Sequence, residues 1–102
     1  GNSRAALRIE PKMAVKVALH DEGRRSNLTE ARTWREASDE EAWWLMPVLA
    51  VAADGDWILM PISEDSGIAH HEELPASLVV MDPSGDYNWG VWCGRPVLLD
   101  YE

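Results

Sequence analysis

The stretch from Asn88 to Asp100 constrains the fold of this chain more than any other, because it predicts a hairpin. Two short apolar segments flank Cys93-Gly94, and a glycine there suits a tight turn. Asn88 precedes the first strand and Asp100 follows the second. Since the two ends of an antiparallel pair lie side by side, the amide and the carboxylate are expected to meet. They could then share a divalent cation or simply finish the hairpin, and the pattern leaves both interpretations open.

Other segments show the period-two alternation of β-strands. Asp54-Gly55, between two β-rich runs, favours a hairpin with a tight primed turn. In the strand around Lys16, the alternation places this lysine on a face with small residues, opposite an aliphatic face. The predicted strands are an edge strand over residues 4–11, strands over 13–19, 48–53 and 56–61, and a short buried strand over 78–81.

One main helix is expected between the second strand and the Asp-Gly hairpin. Asn27 and Glu30 have the spacing of a capping box, so the helix is predicted to begin at Asn27, after a polar loop over residues 20–25. An apolar stripe at a spacing of three follows, comprising Leu28, Ala31, Trp34 and Ala37. Ser38 with Glu41 predicts a second capped turn, which Pro47 ends.

The order of elements predicts an α+β fold, an antiparallel β-sheet with one main α-helix packed on one face, because no βαβ unit repeats. One small domain over residues 1–102 is expected. Its predicted parts are strands and helix over 13–62, an acidic linker over 63–77, and a C-terminal strand and hairpin over 78–101. The linker contains His70-His71-Glu72-Glu73, but adjacent side chains point apart, so no metal site is expected there.

Charge is distributed unevenly along the chain. Residues 1–36 carry eight basic and five acidic residues, a net of +3, whereas residues 37–102 carry one basic and thirteen acidic residues, a net of −12. A phosphate-coating surface needs clustered positive charge, so no nucleic-acid partner is expected. Apolar runs are too short for a membrane span, and a single cysteine fits a cytoplasmic location. Six Trp in a small chain favour a protein partner or self-association.

Taken in order, several segments resemble a known family. The stretch Ala14-Val-Lys16-Val resembles the lysine strand of the protein-kinase N-lobe, and Glu30 resembles the helix glutamate that pairs with that lysine. Residues 48–53 and 57–61 resemble the next hairpin, which leads to a hinge near Ile62-Ser63. Asn88 and Asp100 resemble the catalytic-loop asparagine and the metal-binding aspartate. Over residues 13–101 the chain is therefore similar in outline to divergent kinase-like proteins of bacteria, archaea and phages.

The resemblance implies a role for each matching residue. Lys16 would hold phosphates of ATP, and Glu30 would hold Lys16. Asn88 and Asp100 would ligate Mg²⁺ through oxygen atoms. Asp82 would be the catalytic carboxylate, with Asp86 as the second candidate.

The sequence also departs from the kinase pattern. No glycine-rich phosphate loop precedes Lys16, and Val80-Met81 stands where the family has His-Arg. Residues 64–81 are too few for the helices that normally lie between hinge and catalytic loop. We therefore expect a small, catalytically inactive kinase-like module with weak nucleotide or Mg²⁺ binding.

Two alternatives of other classes stay open. The first is a self-associating interaction protein without a small-molecule ligand, in which the tryptophans anchor packing and interfaces. The second is a minimal phosphotransferase. The candidate residues also have purely structural interpretations: Lys16 and Glu30 as a strand-to-helix ion pair, residues 82–86 as a turn, and Asn88 and Asp100 as the ends of a hairpin.

Overall fold

The computed structural model describes residues 3–66, 73–79 and 88–101. These residues form the predicted α+β fold, with antiparallel sheets and one long helix. The strands are β1 (Arg4–Glu10), β2 (Met13–Ala18), β3 (Ala50–Val51), β4 (Trp57–Pro61), β5 (Asp65–Ser66), β6 (Trp89–Trp92) and β7 (Arg95–Leu98). The helices are α1 (Asp21–Glu36), α2 (Asp39–Trp43) and α3 (Ala76–Val79).

The first sheet has the strand order β1-β2-β4-β3, and all of its pairings are antiparallel. Lys16 pairs with Ala6 on one side and with Ile58 on the other, so these three side chains share a face. Helix α1 packs on that face. The sequence correctly predicted the alternation in β2, in which Lys16 lies opposite the aliphatic residues.

Helix α1 begins at Asp21, six residues before the predicted start at Asn27. His20 is the N-cap residue, and the negative charges of Asp21 and Glu22 in the first turn interact favourably with the positive end of the helix dipole. The expected loop over residues 20–25 is therefore wrong. Asn27 lies inside the helix, where its fully buried amide bonds other segments instead of capping α1.

The buried face of α1 is small and polar, which the predicted apolar stripe did not anticipate. Gly23, Asn27, Glu30 and Ala31 are its buried residues, whereas Leu28 is 40% exposed. A Cβ atom at Gly23 would collide with the backbone carbonyl of Ser3, so the glycine permits close approach of the helix to the sheet. The buried face of α1 is small and polar because the helix lies against backbone and charged groups here.

The Asp-Gly hairpin is present but its turn differs from the predicted one. Gly55 has a φ of 82°, whereas Asp54 is not in the left-handed region, so a two-residue type I′ turn is excluded. The Ala52 N–H bonds the Trp57 carbonyl at 2.9 Å, which closes a four-residue loop. Contacts from α1 explain the longer loop, since Asn27 Nδ2 donates to the Gly55 carbonyl at 2.8 Å.

Two other segments differ from their predictions. A buried strand is expected at residues 78–81, but residues 78 and 79 belong to helix α3. Pro75 directly precedes this helix, where a proline is tolerated. Residues 80 and 81 lie outside the described residues. The expected linker over residues 63–77 contributes β5 to the second sheet and part of α3. The second capped turn is confirmed, since Ser38 and Glu41 form a complete capping box before α2.

The C-terminal hairpin is confirmed and forms most of the second sheet, in the order β5-β6-β7. Cys93 and Gly94 both have positive φ angles, as a tight turn between β6 and β7 requires. A parallel bridge between Leu45 and Leu98 connects β7 to the segment after α2. The main buried hydrophobic residues lie around this connection: Leu45, Met46, Ile58, Leu78, Trp89, Val97, Leu98 and Tyr101. No helix among the described residues has the length and apolarity needed to span a membrane.

Candidate functional site

Lys16 lies at the centre of a charged cluster between α1 and the end of β7. Its Nζ atom is 2.9 Å from Glu30 Oε1 and 2.8 Å from Asp100 Oδ1. It also donates to the Leu99 carbonyl at 3.2 Å. The structure therefore brings together three residues that the sequence singled out from a strand, a helix and a hairpin end.

Arg4 is a second cation in this cluster, and the sequence did not indicate it. Its guanidinium donates to Glu30 Oε1 at 3.1 Å, to Asp100 Oδ1 at 2.6 Å and to Asn27 Oδ1 at 3.0 Å. Its side chain is only 9% exposed. We name Arg4, Lys16, Glu30 and Asp100 the charge cluster; its two cations and two carboxylates carry no net charge when all are ionised.

Glu30 is the most deeply buried member of the charge cluster, with no exposed side-chain surface. Its Oε2 atom accepts the backbone N–H of Tyr101 at 3.0 Å, which ties α1 to the segment after β7. Burial raises the pKa of Glu30, and Lys16 and Arg4 oppose that rise by stabilising the carboxylate. Burial and the two nearby carboxylates also raise the pKa of Tyr101, whose hydroxyl donates to the Met46 carbonyl at 2.6 Å.

Asn88 holds the backbone of Asp100 through both ends of its amide. Asn88 Nδ2 donates to the Asp100 carbonyl at 3.0 Å, and the Asp100 N–H donates to Asn88 Oδ1 at 2.9 Å. Asn88 is 3% exposed. The predicted meeting of these residues at the hairpin ends is therefore present. Asn88 contacts the Asp100 main chain, however, and thereby positions the Asp100 carboxylate.

The Asp100 carboxylate faces Lys16 and Arg4, and its side chain is half-exposed. Partial burial favours the neutral acid, but the two cations outweigh it and lower the pKa of Asp100 to about 2. Asp100 is therefore ionised at neutral pH. Its charge is already compensated by the protein, which reduces its attraction for an added cation.

An apolar cavity of about 180 Å³ adjoins the charge cluster. Ala6 and Ala14 line it from β1 and β2, Met60 lines it from β4, and Lys16 and Leu99 also contribute. The small alanine side chains leave the space open where longer residues would fill it. An apolar cavity of about 150 Å³ admits a benzene-sized ring, so this cavity has room for one aromatic ring system but not for a whole nucleotide.

Asn88 and Asp100 offer a Mg²⁺ ion few free oxygen atoms. Mg²⁺ requires several oxygen ligands in octahedral geometry. The Asn88 oxygen is buried and accepts the Asp100 N–H, and Lys16 and Arg4 both contact the same oxygen of Asp100, Oδ1. In the described part of the chain, no group of three His, Cys, Asp or Glu side chains is placed to hold a metal.

The remaining sequence-predicted candidates fall elsewhere. Asp82, the candidate catalytic residue, and Asp86 lie outside the described residues, as do His70, His71 and Glu72. Their predicted interpretations are therefore not tested. Lys16, Glu30, Asn88 and Asp100 come together, but their roles toward ATP or Mg²⁺ remain predictions.

Sequence reasoning missed Arg4, Asn27 and Tyr101 as parts of the site. The sequence around Arg4 does not indicate a role in the site. Arg4 reaches the cluster only because β1 pairs with β2, with Arg4 opposite Ala18, and because α1 packs on the same face. Asn27 could have been found, because Gly23, Asn27, Glu30 and Ala31 follow the spacing of one helix face. That pattern was obscured by assigning Asn27 to the cap.

Comparisons with known proteins add no family assignment. No protein-family model matches the chain, and neither a curated protein nor a solved structure matches it.

Proposed function

We propose that this chain is a kinase-like module that binds a nucleotide weakly and does not transfer its phosphate. The observation that carries the proposal is the position of the apolar cavity beside Lys16. A planar base would occupy the cavity, and its phosphates would extend toward the Lys16 ammonium. The same lysine contacts Glu30, which the kinase resemblance pairs with it, and Asp100, which the resemblance gives as a metal ligand.

The charges of the site predict that binding is weak. Lys16 is already bonded to two carboxylates, so a phosphate must compete with Asp100 for the ammonium. Competition of this kind subtracts the energy of the existing ion pair from the energy of the new one. We therefore expect dissociation constants on the order of 1 mM, near the weak end of specific binding.

Phosphate transfer is not part of the proposal. Transfer depends on metal ions that bridge the phosphates and neutralise developing charge. Asn88 and Asp100 are engaged with each other and with Lys16 and Arg4, so they do not offer Mg²⁺ an open set of oxygens. Incubation with radiolabelled ATP and Mg²⁺ is expected to leave the label on ATP, and labelled protein or acceptor would contradict this statement.

Thermal unfolding with ADP tests the binding proposal. At 10 mM ligand, a dissociation constant of about 1 mM adds about 1.4 kcal/mol to the free energy of unfolding. For a domain of this size, the midpoint should rise by about 6–10 °C. Because Asn88 and Asp100 offer Mg²⁺ few free oxygen atoms, Mg²⁺ should not increase the shift over that measured with a chelator.

Neighbouring alanines on opposite faces of β1 supply matched variants. Ala6→Leu places a larger side chain at the cavity and should abolish the shift, whereas Ala5→Leu changes the opposite face and should retain it. A wild-type protein that shows no shift at 10 mM ADP would refute the proposal. Equal shifts in both variants would place binding outside the cavity and would equally count against it.

Asp100→Asn separates two roles of the carboxylate. If Asp100 competes with phosphate for Lys16, the variant binds ADP more tightly, by up to about fivefold for an exposed ion pair of about 0.2–1 kcal/mol. If Asp100 holds the nucleotide through a metal ion, the variant binds less tightly. Calorimetric titration with and without Mg²⁺ gives the sign directly.

A further inference from the structure

The face of the first sheet opposite α1 carries apolar side chains along the paired registers of β1, β2 and β4. We name it the outer sheet face and define it by six residues: Leu7, Met13, Val15, Val17, Trp57 and Leu59. None of these six residues is buried, and Leu7 and Trp57 remain 53% and 40% exposed. Within β4 the alternation is clear, because Ile58 and Met60 are buried on the α1 side while Trp57 is exposed.

Such a face differs from the ordinary surface of a half-buried sheet. Antiparallel sheets with one solvated face usually alternate apolar and polar side chains. Here the side facing α1 carries Arg4 and Lys16, whereas the six residues that define the outer sheet face are uncharged and the exposed Glu10, the partner of Met13, lies at its end. Contiguous exposed apolar patches of this kind commonly mark interaction sites.

We propose that the outer sheet face is the interface of a homodimer, in which the same face of a second copy of this chain covers it. Two flat apolar sheet faces pack about 10 Å apart with their strands nearly aligned, so the face is complementary to itself. A twofold contact of this type is the commonest arrangement of homo-oligomers. The proposal does not depend on nucleotide binding.

The available area supports a dimer of modest affinity. Three strands about 4.8 Å apart and about 20 Å long give a face of roughly 300 Å² in projection. Four of the six defining residues are already partly buried, so two copies together remove at most about 1,000 Å² from solvent, which places the contact among the weak interfaces. Dissociation in the micromolar range follows, since small interfaces lie at the weak end of the scale.

The charge of the chain disfavours the main alternative occupants. A net charge of −9 repels anionic lipid surfaces and nucleic acids. The defining residues of the face also carry no charge that would orient a particular charged partner. A second copy carries the same net charge of −9, so repulsion between copies also opposes the dimer, and association should strengthen as salt screens this repulsion.

Sedimentation across a concentration series tests the proposal with matched leucine variants. The wild-type mass should rise from that of the 11.4 kDa monomer toward twice that value between about 1 and 500 µM, a range that brackets micromolar dissociation. Leu7→Lys introduces a charge on the outer sheet face and should raise the dissociation constant at least tenfold. Leu28→Lys changes an exposed leucine on α1, on the other side of the sheet, and should behave as wild type.

Circular dichroism establishes that both variants are folded. Trp57→Gln supplies a second alteration of the outer sheet face in case Leu7→Lys does not fold, and it should also weaken the dimer. A wild-type protein that keeps the monomer mass at 500 µM would overturn the proposal. Equal association of Leu7→Lys and Leu28→Lys would also overturn it, because the contact would then lie on another surface.

Discussion

Removing the amide of Asn88 should destabilise the protein whether or not Mg²⁺ is present. Asn88 makes two hydrogen bonds to the Asp100 backbone, and each such bond contributes about 0.5–1.5 kcal/mol. Asn88→Ala also leaves the Asp100 N–H without this partner in a part-buried location, which adds to the cost. We therefore expect the free energy of unfolding to fall by about 2–3 kcal/mol, a large fraction of the 5–15 kcal/mol typical of a domain.

Urea unfolding followed by circular dichroism measures this change. The slope of the free energy against urea should stay constant, because the buried surface is nearly unchanged. Cys93→Ala alters an exposed residue of the same hairpin and should change the stability by less than about 0.5 kcal/mol. An Asn88→Ala protein as stable as wild type would refute the stabilising role of the two Asn88–Asp100 hydrogen bonds.

Asn88→Asp tests the direction of the two bonds. One oxygen of the new carboxylate accepts the Asp100 N–H, but the other faces the Asp100 carbonyl, 3.0 Å from the amide nitrogen it replaces. Repulsion between these oxygens should raise the pKa of the introduced carboxyl. A group with a raised folded-state pKa contributes stability at low pH and loses it as pH rises. The variant should therefore lie closer to wild type near pH 4 than at pH 7, and the reverse order would contradict the assignment.

Three further predictions concern the charge cluster, α1 and the turns. The lowered pKa of Asp100, about 2 against 3.8, means that its ionised form stabilises the fold above pH 3.8 and that this contribution is lost as pH falls toward 2. In urea titrations, the destabilisation by Asp100→Asn should be constant above about pH 5 and should vanish near pH 2; we expect about 1 kcal/mol at neutral pH because solvent screens this half-exposed group. Asn27→Ala should lower the unfolding free energy by about 3 kcal/mol, because it removes hydrogen bonds to Gly55, Lys16 and Arg4. The higher helix propensity of alanine offsets less than about 0.7 kcal/mol of this loss. A loss under about 1 kcal/mol in chemical unfolding would contradict these contacts. Gly94→Ala should cost about 1–2 kcal/mol from its positive φ, and Gly55→Ala should cost more because its Cβ also meets the Arg24 carbonyl, so equal thermal midpoints for the two variants would refute that contact.

Most strands of the first sheet, the C-terminal hairpin and the second helix cap could be predicted because their determinants are local. Alternation around Lys16 established which side chains share a face, and Ser38 with Glu41 established a capping box. The Cys93-Gly94 turn established the hairpin that aligns Asn88 with Asp100. Each of these inferences depends on residues within a few positions of one another.

The errors occurred where packing between distant segments outweighed a local pattern. Asn27 has a good cap sequence, but contacts with Lys16 and Gly55 hold it inside α1. The Asp54-Gly55 turn is longer than predicted because α1 contacts it. Leu78 is as buried as a core strand residue would be, yet Pro75 precedes a helical turn there.

The candidate site was predictable in its composition and less so in its electrostatics. The kinase resemblance selected Lys16, Glu30 and Asp100, and the fold brings them into contact. Arg4 could not be selected, because its place beside Asp100 depends on a contact across 96 positions of sequence. That second cation changes the chemistry, since it compensates the carboxylate that a metal ion would need.

The most direct test of the proposed nucleotide site is a titration of the ¹⁵N-labelled protein with ADP, followed by amide chemical shifts. The largest changes should occur at Ala6, Ala14, Ile62 and Leu99, which surround the cavity, and at Lys16. Fitted dissociation constants should agree among these amides, and Mg²⁺ should not strengthen binding. An unchanged spectrum at 10 mM ADP, or changes confined to residues remote from the cavity, would contradict nucleotide binding in the cavity.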